Sequence, residues 1–282
     1  MVSRMKLVVA YFGRPFHGWQ RQPGQRTVQG ELERALSALI DGRATTVSGA
    51  GRTDAGVHAA GQVAHIDLPS AIPPDGLKRG LNGILPPEIR VLSARAVSAD
   101  FHARRNARGK LYVYRGVWHA PTLPWNEPLA AVLKPIEDLS SLADAVGLFR
   151  GRHDWASFTV PDPETSSTVR TLFEIRFRAR RNGFELAFLG EGFLRYQVRR
   201  MVGALLEVGR GRRSIDQLRG LLENPIPGAP LQTAPAAGLT LERVYYRETP
   251  AMKISATESG PEDAKTAVVD FPTLVNGDAV NR

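Results

Sequence analysis

Apolar residues along this chain recur in two rhythms, a period of two that predicts strands and a three-to-four spacing that predicts helices. Lys6-Leu-Val-Val-Ala-Tyr-Phe12 is a short apolar run of β-forming residues and predicts a strand. Thr27 can cap a helix whose apolar positions Val28, Leu32, Ala35, Leu36, Leu39 and Ile40 share one face. Residues 45–47 and 62–68 predict two strands. Pro73-Pro74-Asp75 starts a helix carrying Leu77, Leu81 and Ile84, and residues 89–97 predict a further strand. The order β-α-β-β-α-β is the split ferredoxin-like pattern.

The second half follows the same order. Residues 111–118 predict a strand, and a helix over 138–150 follows a proline-rich connection at 120–135. Phe173, Ile175, Phe177 and Ala179 alternate with Glu174, Arg176 and Arg178, the mark of a half-buried strand. Phe184, Leu186 and Phe188 alternate likewise across an Arg181-Asn-Gly183 turn, which predicts a hairpin. A helix is expected over 195–209, with Arg195 and Arg199 on one face and Met201, Val202, Leu205 and Leu206 on the buried side. Ser214 and Gln217 form a capping box for another helix ending near Asn224-Pro225, and residues 239–246 close the unit as a strand. The expected fold is α+β: two ferredoxin-like halves with mainly antiparallel sheets and a cleft between them. Domains are expected over 1–105 and 106–249, followed by a polar tail, 250–282, expected to be disordered or loosely attached.

Composition narrows the function. The 282 residues suit about two domains, with an ordinary 43% hydrophobic content. No apolar run approaches the ~20 residues of a membrane span, and the N-terminus lacks a signal-peptide core, so a cytoplasmic protein is expected. The absence of cysteine excludes disulfides, thiolate catalysis and cysteine zinc sites. Net charge is +9, and the tail is net negative, so residues 1–249 carry +11. Of the 37 basic residues only six are lysine. GC-rich coding explains the arginine preference as well as phosphate recognition does, but not the excess positive charge, which points to a polyanionic partner.

The candidate chemistry lies in Gly49-Ala-Gly-Arg-Thr-Asp-Ala-Gly-Val-His58 and on to His65. Glycines at 49, 51, 56 and 61 let the backbone take positive φ and let a ligand come close. Beside Arg52 the Asp54 carboxylate is expected to be held ionised with a lowered pKa, ready to act as nucleophile or general base. A turn-capping Asp is the plainer alternative. Asp54, His58 and His65 lack the spacing of a zinc set, so His58 is read as a loop residue, His65 as a strand residue, and no metal is expected. Arg104, Arg105, Arg108 and Lys110 adjoin Phe101 and His102 and precede Tyr112 and Tyr114, which face one side of a strand. Arg14 and Arg21 lie similarly among Trp19, Gln20 and Gln22. Such mixtures suit phosphate contact with base stacking, and equally a solvated linker with ordinary aromatic packing. An arginine of the 195–209 helix facing a cleft could pair with Asp54; spacing leaves open which.

Gly51-Arg-Thr-Asp-Ala-Gly-Val-His58 resembles the catalytic motif of the tRNA pseudouridine synthase A (TruA) family. Further stretches resemble family motifs in the same order: Gly18-Trp-Gln-Arg-Gln22 with Thr27-Val-Gln29, Leu81-Asn82 with Leu85-Pro86, and Phe101-His-Ala-Arg104. After these come the tyrosine strand at 112–114, Gly151-Arg-His-Asp154, the arginine-rich helix at 194–203 and Ala234-Pro235 with Gly238-Leu239. The resemblance covers about residues 5–247; the 120–135 connection and the tail depart from it. It implies an isomerase that turns uridine into pseudouridine at positions 38 to 40 of the tRNA anticodon stem-loop, without cofactor and as a homodimer with basic RNA clefts. By that resemblance Asp54 is the covalent catalyst, Arg199 its basic partner, Tyr112 the residue beneath the target base, and Arg52 a helper in displacing the base.

Overall fold

Hydrogen-bonded strands of both halves run together into one ten-stranded sheet. The structure, a computed structural model, describes residues 3–40, 42–69, 72–119, 129–162 and 165–254. The first half contains β1 (Ser3–Tyr11), α1 (Val28–Leu39), β2 (Ser48–Gly49), β3 (His58–Leu68), α2 (Pro74–Ile84) and β4 (Ile89–Ala96). The second contains β5 (Gly109–Val117), β6 (Ala131–Val132), α3 (Leu139–Val146), β7 (Gly151–Asp154), β8 (Val169–Arg180), β9 (Gly183–Gly190), α4 (Gln197–Gly209), α5 (Ile215–Glu223) and β10 (Leu239–Tyr245). The strand path is β4-β1-β3-β10-β5-β9-β8-β7, with β2 paired to β3 and β6 to β5. β4-β1-β3-β2 in the first half and β10-β5-β9-β8 in the second are the same antiparallel arrangement, so the expected pair of ferredoxin-like units is present.

The halves meet where β10 runs parallel to the start of β3, pairing Thr240 with His58 and Leu241 with Ala59. The far end of β3 pairs instead with β2, Ser48 with His65 and Gly49 with Ala64. One long strand therefore serves both neighbours. The approach at the seam is close: a Cβ on Gly61 would lie 2.5 Å from the Glu242 carbonyl oxygen.

Local chemistry explains most elements. The Thr27 hydroxyl accepts from the Gly30 N–H at 3.2 Å to start α1, whose Val28, Leu32, Ala35 and Leu36 are fully buried. Ser214 and Gln217 form the reciprocal capping box at the start of α5. The β8–β9 hairpin closes through a two-residue connection.

Five expectations are corrected. Residues 45–47 form no strand; the Val47 N–H and carbonyl are taken by the Glu33 and Gln29 side chains of α1, and pairing starts only at Ser48. β3 starts at His58 rather than 62, so His58 is a strand residue. α4 starts at Gln197, leaving Arg195 outside the helix, although it and Arg199 still meet at the Tyr196 ring. Nor is α4 one-sided. Residues 229–234 cross it so closely that a Cβ on Gly203 would lie 1.9 Å from the Gln232 carbonyl oxygen. This strap buries Arg200, which donates to the Ser157 and Ala229 carbonyls. α3 stops at Val146 and gives way to a short 3₁₀ turn, and the sequence reading lacked β6 and β7.

The expected tail begins with a helix, α6 (Pro250–Ile254), whose Met252 packs against Leu111, Val113, Ala187 and Leu189. The remainder of the tail, 255–282, and residues 120–128 of the proline-rich connection lie outside the described residues. Among the described residues no helix is long and apolar enough to cross a membrane.

Candidate active site

The Asp54 loop leaves β2 and returns to the sheet at the seam, immediately before the β3–β10 pairing. Its backbone is tied at nearly every step. Ala50 N–H donates to the Val63 carbonyl at 2.7 Å, and the Gln62 amide donates to the Gly51 carbonyl at 2.9 Å. The Thr53 hydroxyl meets the Tyr11 hydroxyl at 2.8 Å, while the Thr53 carbonyl accepts from the Trp19 N–H. Asp54 itself closes a turn, its carbonyl accepting from the Val57 N–H at 3.1 Å. Gly56 supplies the positive φ of that turn, +80°. The other glycines answer to packing against the protein's own parts. Gly49 lies against the Trp19 indole and Gly61 against β10, so the glycine density reflects these approaches more than a ligand's. Trp19 and Phe16 are buried core, which removes Trp19 from the aromatic surface considered at 14–26.

Across the seam, Arg199 of α4 donates from Nη1 to the Asp54 carboxylate at 3.0 Å. Its Nε donates to the Ala234 carbonyl at 2.8 Å, and the Ala234 N–H returns to the Arg199 carbonyl. Arg52, the sequence neighbour, lies elsewhere: its Nε donates to the Gln20 side chain at 3.2 Å on the exposed side. The expected lowering of the Asp54 pKa is corrected as well. Burial pushes the carboxyl above its usual range, and Arg199 and then Arg195 only partly oppose that. The site therefore holds a largely desolvated carboxylate whose ionised form is favoured chiefly by Arg199, with Arg195 adding to it.

Tyr112 and Tyr114 of β5 point to the same sheet face. Tyr112 lies edge-on to Phe193 at 5.1 Å, and burial, then Tyr11 and Asp54, push its phenol well above the usual range. Tyr114 is fully buried and stacks on Phe184 at 6.3 Å, its hydroxyl without a hydrogen-bond partner among the described residues. Lys110, two residues before Tyr112 on that face, brings its ammonium against Gly51, where an added Cβ would lie 2.9 Å away. Burial, with Arg104 and Arg170 adding repulsion, lowers Lys110 to about 8.

The remaining basic candidates do not gather at one point. Arg14 and Arg21 are exposed on the 13–26 loop, and Arg21 faces Glu33 at 3.4 Å. Arg104, Arg105 and Arg108 are exposed on the turn before β5. That turn is held by histidines. His65 Nδ1 accepts from the Ala103 N–H at 3.2 Å, and His102 Nδ1 accepts from the Arg104 and Arg105 N–H groups. His58 is buried, its Nδ1 accepting from the Gly13 N–H at 3.1 Å, and burial lowers its pKa to about 4. Both strand histidines serve the backbone. Sequence reasoning missed Arg170, the Ala234 carbonyl and Tyr196, which meets both Arg195 and Arg199; the last leaves no trace in hydrophobic periodicity because it rests on one backbone angle.

A family model described as tRNA pseudouridine synthase matches residues 7–105 and 145–247. The chain is 42% identical over 252 residues to the tRNA pseudouridine synthase A of Maridesulfovibrio salexigens, covering 88% of this chain and 92% of that protein. It is 39% identical over 252 residues to the protein of that name from Lactiplantibacillus plantarum, covering 88% and 96%. For Geobacillus kaustophilus the identity is 40% over 249 residues, covering 88% and 96%. One matched segment carries Asp54 and the other Arg199, while Lys110 and Tyr112 fall between them. The chain belongs to the tRNA pseudouridine synthase family.

Proposed function

We propose that this protein isomerises uridine to pseudouridine in the anticodon stem-loop of tRNA, at positions 38, 39 and 40, with Asp54 as nucleophile. The observation that carries the reading is the 3.0 Å pairing of a part-buried carboxylate with Arg199 across the seam. The reaction breaks the N1–C1′ bond, turns the uracil and joins C5 to C1′; the C5 hydrogen leaves to solvent and N1 takes up a proton. A stacked uridine cannot do this, so it must be extruded at a cost of a few kcal/mol. Basic residues on the RNA phosphates offset that cost, and Arg14, Arg21, Arg104, Arg105, Arg108 and Lys110 are our candidates. Asp54 attacks either C6 of the base or C1′ of the sugar, and Arg199 holds it ionised in a site dry enough to protect the detached base. Tyr112 offers its ring to the uracil; its raised pKa speaks for stacking over a phenolate base. Arg52, on the exposed side of the loop, is suited to displacing the base.

In this reading the domains 1–105 and 106–249 each supply one member of the ion pair. The protein works in the cytoplasm as a homodimer and without a cofactor; a monomeric mass for fully active protein would remove the dimer from the proposal. The central test is incubation with tRNA tritiated at uridine C5. Wild type is expected to release label to water from positions 38–40, and Asp54→Asn to release none while binding tRNA within about tenfold, or ~1.4 kcal/mol. No release by wild type from a tRNA with uridines at these positions sinks the reading.

A further inference from the structure

Tyr196 has φ of 59°, and it is the one non-glycine residue at positive φ among the described residues. Crowding between Cβ and the next carbonyl disfavours this conformation, which persists only where the surroundings fix it. They do so here. Leu194 N–H donates to the buried Gln197 side chain at 2.9 Å, Gln197 N–H donates to the Leu194 carbonyl at 3.1 Å, and the Thr159 hydroxyl donates to the Arg195 carbonyl at 3.0 Å. Tyr196 precedes α4, yet its side chain caps no helical N–H. The turn instead brings the ring to two cations. The Arg199 guanidinium carbon lies 5.1 Å from the ring centroid, and that of Arg195 lies 5.3 Å away. Two like charges would drift apart unaided, whereas an aromatic face attracts both.

Arg199 is thus held from three sides: the Ala234 carbonyl at Nε, the Asp54 carboxylate at Nη1 and the Tyr196 ring. The first two fix its hydrogen bonds, and the ring limits rotation of the planar group out of their plane. We propose that Tyr196 is a positioning residue, whose ring keeps the Arg199 guanidinium on Asp54 and Arg195 nearby as a second cation. The left-handed turn is then the means by which the chain delivers the ring there. This inference rests on the Asp54–Arg199 reading above.

The test separates the ring from the backbone. Glycine takes positive φ freely, so Tyr196→Gly keeps the turn and removes only the ring. Its melting temperature should match or exceed wild type, its tRNA Kd should be unchanged, and kcat for label release should fall about tenfold. Tyr196→Phe should restore kcat. In an Arg199→Gln background Tyr196→Gly should cost nothing further, since the group it positions is gone. If Tyr196→Gly melts well below wild type, Tyr196→Asn, which also tolerates this conformation, takes its place. Unchanged kcat in the stable variant, weakened binding with kcat intact, or a full additional loss beside Arg199→Gln would each overturn the inference. Wild type inert on tRNA would instead overturn the functional reading itself, and the two failures are distinct.

Discussion

Replacing Arg199 by glutamine isolates the contribution of one charge to the candidate site. At 3.0 Å and an effective dielectric of about 20, the attraction between guanidinium and carboxylate is about 5.5 kcal/mol. Desolvation offsets part of it, and the two side chains retain 14% and 22% exposure, so water screens another part. A net loss of about 2–3 kcal/mol is expected at neutral pH, or roughly 30- to 150-fold in the chemical step. The sign of the pH dependence follows from Asp54. Burial already raises its pKa with Arg199 in place, and removing the group that lowers it raises it further. The acid limb of the rate profile should therefore move to higher pH, and activity should recover as pH rises and the carboxylate ionises. The assay is single-turnover release of tritium from C5-labelled tRNA across pH 5–9, beside Arg199→Lys, which keeps the charge but cannot reproduce both hydrogen bonds. Arg199→Gln within threefold of wild type at pH 7, with an unmoved acid limb, would refute the assigned role. A large loss that stays constant with pH would leave Arg199 as a steric guide and remove its electrostatic part.

Two other titrating groups yield predictions. His58 is held neutral, its pKa lowered from 6.5 to about 4, so the unfolded chain binds a proton between these values and the folded one does not. Stability present above pH 6.5 is lost as pH falls toward 4, by about 2–3 kcal/mol. Urea midpoints of wild type should fall over this window by more than those of His58→Gln; parallel curves would show that another group dominates. Lys110 titrates near 8, so its cation is present below that pH and lost above it. Wild-type tRNA affinity should fall toward that of Lys110→Met between pH 7.5 and 9, and the Met variant should lose about one unit of salt slope at pH 7. A constant affinity ratio across that range would take Lys110 off the RNA.

What was legible in the sequence was whatever a short window could hold. Thr27 and the Ser214–Gln217 box announce their helices within four residues, and the alternation over 173–188 announces a hairpin. Short strands carry no such signal: β2 and β6 have two residues each, too few to show a period. The one-sided stripe on α4 misled because the strap at 229–234 covers its other face, a tertiary fact that a helical wheel cannot contain. The Asp54 loop stood out by its glycines, but their meaning was only half legible. A glycine needed because Trp19 or β10 presses against it looks in sequence like one that makes room for a ligand. Asp54 has Arg52 two residues away and Arg199 145 residues away, and the fold chooses the distant one.

That choice has a physical consequence. An ion pair between neighbours in sequence would exist in a partly folded chain, whereas the Asp54–Arg199 pair exists only when β10 has docked on β3 and α4 has been strapped down. Before that docking, Arg199 is remote and Asp54 is more exposed, so neither its desolvation nor its counter-charge is in place. Because the Asp54 loop runs directly into the seam, a change that loosens the β3–β10 contact should depress activity before it lowers the melting temperature. The Gly61 approach to the Glu242 carbonyl, with 2.5 Å available to an added Cβ, is where such loosening is most easily introduced.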